Sequence, residues 1–137
     1  MKIRLLFFTV TALLIFCICT SCSKNIQLSG QVTYSDDGSP LTTGIVCFET
    51  NTYMARGNLK PDGTYTITSV TQNDGLPPGQ YRVSVLNAIE GFGEDNATNI
   101  PLIDPKYGDS NTSGITFQVT PSSNRFDFTV ERYKANQ

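Results

Sequence analysis

The chain has 137 residues, 10 basic against 12 acidic side chains, a net charge of −2, and no histidine or tryptophan. That length fits one domain behind a short leader, and the charge excludes the basic stripe that nucleic-acid binding needs. The missing histidines exclude His-based triads, His-ligated zinc or iron and His general acids, and the missing tryptophans weaken a carbohydrate platform.

The first element is a leader. Lys2 and Arg4 precede an almost wholly apolar run over 5–18, which ends in Cys19-Thr20-Ser21-Cys22. A basic start, an apolar stretch of about 7–15 residues and small residues at the cut make a secretory signal. The run falls short of the about 20 residues that span a bilayer. Cys17 follows Phe16 and Cys19 follows Ile18, both too bulky for the cut position, whereas Cys22 follows the small Ser21. The segment resembles the bacterial lipobox, with Cys19 where leucine is usual. Cleavage between Ser21 and Cys22, with lipid on Cys22, is therefore expected. The competing readings are an ordinary secretory signal with Cys22 a free thiol, and an uncleaved anchor helix.

The expected organisation is a signal peptide over 1–21, a lipidated cysteine and tether over 22–25, and a β domain over 26–137. Losing Lys2 and Arg4 moves the net charge from −2 to −4. Cys47 then stands alone once Cys22 is acylated, so no intrachain disulfide is possible. A spare thiol in an exported protein is expected to be buried as a small hydrophobe.

Helical periodicity is absent after residue 25. Short alternating runs rich in Val, Ile, Thr, Tyr and Phe recur between Gly, Pro, Asn and Asp, the pattern of an all-β sandwich. The spacing predicts seven strands. The first, 26–34, puts Ile26, Leu28, Val32 and Tyr34 on one face. A turn over 35–40 contains Gly38, suited to positive φ. The second, 44–50, is apolar on both faces and so central, and the third, 53–59, is weaker and fits an edge. Lys60-Pro61-Asp62-Gly63 is a turn. The fourth, 63–70, points Tyr65 and Ile67 inward, and the fifth, 80–89, does so with Tyr81, Val83 and Val85. A long irregular stretch over 91–111 follows, of a length often functional. The sixth strand, 114–120, and the seventh, 124–132, are expected to form a hairpin about Pro121-Ser122-Ser123-Asn124.

Several of these strings resemble a known group. Gly30-Gln31-Val32-Thr33-Tyr34, Asp37-Gly38-Ser39-Pro40-Leu41, Gly44-Ile45-Val46-Cys47-Phe48, Asp62-Gly63-Thr64-Tyr65-Thr66-Ile67 and Leu76-Pro77-Pro78-Gly79-Gln80-Tyr81 are similar to carboxypeptidase-regulatory-like domains. These belong with the transthyretin-like (prealbumin-like, Ig-like) sandwiches. The string from Ile100 to Tyr107, with Thr112 to Thr116 after it, resembles small lipoproteins of planctomycete-type bacteria. The resemblance implies a seven-stranded transthyretin-like β-sandwich on an exported protein without enzymatic activity. A purine-pathway hydrolase and dioxygenases on related sandwiches depend on histidines, which this chain lacks.

No catalytic set, metal site or cofactor is expected. Asp36-Asp37-Gly38 reads as a turn rather than a calcium loop. Glu94, Asp95, Asn96, Asp104, Asp109 and Asn111 are richer in oxygen but match no calcium spacing. Phe92, Ile100 and Tyr107 in the long loop are candidates for a partner-contact patch, against the alternative that they tuck the loop onto the sandwich. The lysines all fall in turns, loops or ends, so none suits a core isopeptide cross-link. The functional expectation is a non-enzymatic, membrane-anchored envelope lipoprotein with a structural or protein-binding domain. Its partners would be the membrane, through lipid on Cys22, and an envelope protein, with no nucleic acid. A tether of three residues at roughly 3.3 Å each holds the domain on the order of 10 Å from the bilayer. Ser23 rather than aspartate after the cysteine favours outer-membrane delivery. The alternatives are a small-ligand or glycan-binding module, built on Tyr53 and Tyr107, and a secreted domain without lipid.

Overall fold

The computed structural model describes residues 24–68, 75–91 and 99–135. The expected leader over 1–21 and Cys22 lie outside them. Alternation decides which side chains go inside. In β1 (Ser29–Tyr34) Val32 and Tyr34 are buried while Gln31 and Thr33 reach solvent. β2 (Ile45–Glu49) buries Val46, Cys47 and Phe48 in succession, as a strand covered on both faces must. β3 (Met54–Asn58) alternates buried and exposed residues, and β4 (Thr64–Thr66) buries Tyr65. β5 (Gly79–Leu86) is the longest strand. Two-residue strands β6 (Ile89–Glu90) and β7 (Ile100–Pro101) pair with each other. A 3-10 turn, η1 (Pro105–Gly108), precedes β8 (Ile115–Val119) and β9 (Phe128–Val130).

The strands form a four-stranded sheet, β3-β2-β5-β8, and a three-stranded sheet, β4-β1-β9. The architecture is an all-β sandwich. Each of the seven segments read from the sequence overlaps one strand of these two sheets, with β2 internal and β3 at an edge as expected. The core lies between the sheets, around Phe48. Its ring sits 6.1–6.4 Å from those of Tyr65, Tyr81, Phe117 and Phe126. Burying one such side chain contributes about 1.5–3 kcal/mol. The Tyr65 hydroxyl donates to the Phe126 carbonyl and so ties β4 to the approach of β9. Gly30 makes room for that crossing, because a Cβ there would overlap the Phe126 carbonyl and crowd the Tyr65 hydroxyl.

Two expectations are corrected. Residues 114–120 and 124–132 do not pair as a hairpin. β8 pairs antiparallel with β5, and β9 pairs parallel with β1. The turn does form, with Ser123 N–H donating to the Thr120 carbonyl at 2.9 Å, but it carries the chain from one sheet to the other. Phe117 and Phe126 stack at 4.2 Å between the sheets. The stretch over 91–111, read as irregular, holds β7 and η1 in its second half. Asp104 caps η1 by accepting from the Lys106 N–H at 2.9 Å, with Pro105 opening the turn.

Strand directions define two poles. Ile26 and Leu76 exchange backbone hydrogen bonds of 2.8 Å each way at the start of β1. The Tyr53 hydroxyl donates to the Gly75 carbonyl there, and the turn over 120–123 lies alongside, with Ser29 N–H donating to Asn124. The opposite pole carries the turns over 35–40 and 60–63, where Gly38 and Gly63 take φ of 72° and 76°.

Candidate functional site

The expected site residues do not converge. Ser21 and Cys22 lie outside the described residues, as does Phe92. Ile100 is 51% exposed on β7. Tyr107 is only 7% exposed, which goes against the contact patch and with the alternative, that it tucks the loop onto the sandwich. It sits in η1, and η1 packs against β5, so its ring belongs to the core cluster. A glycan platform fails similarly. Tyr53, the other ring it needs, is half-buried against Tyr81 with its hydroxyl bonded to Gly75.

The first feature of interest is the pole where the chain enters. Lys24 and Asn25 are exposed, and the fold takes hold at Ile26, four residues beyond Cys22. Anything attached at Cys22 is therefore held close to this pole.

The second is the outer face of the larger sheet. The segment over 105–113 straps across it. Ser113 Oγ donates to the Val83 carbonyl and Ser110 Oγ to Glu49 Oε2 at 2.9 Å. Ser110 and Ser113 are both buried, and the sequence reading did not single them out. A hollow of about 250 Å³ remains beneath the strap, lined by Cys47, Glu49, Met54, Ser84 and Asp109. Glu49 separates it from a second hollow of about 320 Å³ that includes Asn51, Gln80, Arg82 and Thr116. Arg82 reaches Glu49 at 3.9 Å and Asn51 at 3.4 Å, both loose, and its Nε is buried with no partner. Burial raises the pKa of the Cys47 thiol, so it stays protonated and a poor nucleophile. Both hollows are shallow and open to solvent.

The third is the far pole. The Arg132 guanidinium donates to Asp36 at 2.9 Å, to Asp37 at 2.8 Å and to Ser39 at 2.8 Å. The Ser39 hydroxyl and N–H, then Arg132, hold the Asp37 carboxyl down to about 2. These acids serve an ion pair. Asp104 caps η1, and Asp109 accepts from Asn111 at 2.7 Å within its own turn. Among the described residues no three acidic or thiol side chains gather to hold a metal. Glu94, Asp95 and Asn96 lie outside them. No described helix is long and apolar enough to cross a membrane.

No protein-family model matches the chain, and no curated protein matches it. Among solved structures it is similar to a DUF3823 family protein from Bacteroides ovatus. That likeness has 17% identity and a TM-score of 0.46, over 80% of this chain and 45% of the other. It is also similar to a 9R-lipoxygenase from Cyanothece, at 17% identity and a TM-score of 0.35, over 77% of this chain and 16% of the other. The chain thus spans less than half the length of either. At these scores neither likeness bears on function.

Proposed function

We propose that this chain is a non-enzymatic lipoprotein of the bacterial envelope, anchored through lipid on Cys22, whose β-sandwich binds a protein partner. The carrying observation is the leader itself: two basic residues, an apolar run and a small residue before Cys22, followed at once by polar sequence. The entry of the chain at one pole supports it, since the fold begins four residues past Cys22. One acyl chain binds a bilayer marginally, whereas two or more hold stably. A diacylglyceryl thioether plus an N-acyl group supplies that number. The protein would face the periplasm from the outer membrane or the inner membrane. Two packed sheets of four and three strands support the finer reading, a transthyretin-like, carboxypeptidase-regulatory-like sandwich.

A binding role suits a chain with shallow hollows and no histidine. Intact-mass analysis of the protein from its native membrane fraction tests the anchor, beside a Cys22→Ala variant. A diacylglyceryl-plus-acyl mass beginning at Cys22 is expected, with the variant left unprocessed or released. An unmodified Cys22 or an intact leader would overturn the proposal.

A further inference from the structure

The four sheet edges differ in how they are guarded. At β3, Arg56 exchanges backbone bonds of 3.3 and 2.9 Å with Thr68, so this edge runs on into the segment after β4 and carries a charge. The same junction covers the β4 side. At β9, Arg125, Asp127 and Glu131 flank the strand. β8 has none of these devices. From Ser110 to Asn124 there is no charged residue, and no proline before Pro121. Among the described residues, no backbone outside β5 bonds to that of Ile115–Val119. Soluble proteins ordinarily block such edges with charge, proline or a bulge. Beside this edge the half-buried rings of Phe117, Phe126 and Phe128 stack at 4.2 and 5.4 Å, forming an apolar side wall between the sheets.

We propose that β8 is a strand-addition site for an extended, uncharged segment of another envelope protein. Main-chain bonds to β8 would hold the segment, and alternate apolar side chains would lie over the phenylalanine wall. This deepens the anchored reading above and rests on it for the choice of occupant. Chemistry alone would also admit a second copy. Antiparallel pairing about Phe117 sets Ile115 opposite Val119 and Thr116 opposite Gln118. The tether opposes it. β8 runs toward the entry pole, since Val119 pairs with Gly79, three residues past Leu76. Antiparallel self-pairing therefore points the two entry poles in opposite directions. In an upright pair the second pole stands at least the length of β5 away, about 27 Å at 3.4 Å per residue. A three-residue tether spans about 10 Å. A pair lying flat on its smaller sheets would face the bilayer with Asp127 and Glu131 already neutralised by Arg125 and Lys106, and so would gain no attraction to an anionic surface.

The test uses the full protein extracted from membranes in detergent. The probe is a fluorescent peptide, Gly-Ile-Thr-Phe-Gln-Val-Thr, which has the alternation the edge should accept and no pole of its own. Two further peptides carry N-methyl groups on alternate amides, one set for each edge of the peptide. Saturable binding is expected, weakened at least tenfold by one methylated set and little by the other. No saturable binding, or equal effects of the two sets, would overturn the proposal. A Thr116→Cys/Gln118→Cys double variant, oxidised in its native membrane, is expected to stay monomeric, and a disulfide-linked dimer would overturn the choice of a foreign partner. Peptide binding alongside an unmodified Cys22 would overturn the anchored reading, and with it the exclusion of a second copy, while leaving the edge itself standing.

Discussion

The Arg132 guanidinium lies over the Tyr34 ring, its Cζ 3.6 Å from the ring centroid. Tyr34 ends β1, while Arg132 follows β9, so this stack closes the far pole by joining two neighbouring strands through side chains. Asp36, Asp37 and Ser39 complete the ring of acceptors around Arg132. A planar cation suits this place better than lysine, because it can stack and fork its hydrogen bonds at once.

This clasp makes stability depend on acid. Asp37 is held at about 2 in the folded protein, first by the Ser39 hydroxyl and N–H and then by Arg132, against an ordinary 3.8. A depressed folded value contributes stability that is fully present above the unfolded value and is lost as pH falls through the folded one. Thermal melts of the protein and of Asp37→Asn should therefore differ near neutral pH, with the variant lower. The gap should close between about pH 4 and pH 2. A constant gap across that range would show that Asp37 acts without its charge.

Much of the sandwich was legible because alternation is a local signal. Val32 and Tyr34, Tyr65 and Ile67, and Tyr81, Val83 and Val85 are all buried on the faces that the period of two assigns. The doubly apolar run through Val46, Cys47 and Phe48 marked an interior strand. The crossing after β8 was not legible. Pro121 to Asn124 encodes a turn, but a turn does not say which sheet the next strand joins. The close pass of Phe126 at Gly30 and the pairing of β9 with β1 decide that, and both are contacts between distant residues. The ordered turn that holds Tyr107 was missed for a different reason. The Asp104-Pro105 pair carries the cap-and-proline signature of a helical start, and reading it would have placed Tyr107 in an ordered turn.

Gly30 and Gly38 separate two reasons for glycine. At Gly30 the added methyl meets the Phe126 carbonyl and the Tyr65 hydroxyl, so backbone must move. At Gly38 a Cβ meets nothing within 4 Å, and only the φ of 72° opposes it. Gly30→Ala should cost about 2–3 kcal/mol and Gly38→Ala about 1 kcal/mol. Urea midpoints at unchanged slope measure both. Equal losses would mean that β9 yields freely at the crossing.

Phe48 is the hub of the aromatic core, fully buried and within 6.4 Å of four rings from both sheets. Phe48→Ala should cost about 3–5 kcal/mol, because ring burial is lost and a cavity remains. Met54, 42% exposed on β3, provides the contrast: Met54→Ala should stay within about 0.5 kcal/mol. The same unfolding curves read both. A loss below about 1 kcal/mol at Phe48 would mean that the facing rings collapse into its place.

Cys47 tests whether the strap over the larger sheet stays shut. Cys47 is 2% exposed on β2, beside the hollow lined by Ser110 and Asp109. Thiol reagents attack the thiolate, and burial raises the Cys47 pKa, so both access and ionisation slow the reaction. Labelling of the native protein at neutral pH should run more than about tenfold slower than in urea. Ser110→Ala removes the bond to Glu49 that holds the strap to β2. This variant should label faster than the native protein while its urea midpoint falls by no more than about 1 kcal/mol, the ordinary net value of one hydrogen bond. Faster labelling with little loss of global stability identifies a local opening. If the variant labels at the native rate, the strap is held by Ser113 and the packing of Tyr107, and Ser110 contributes nothing to its closure.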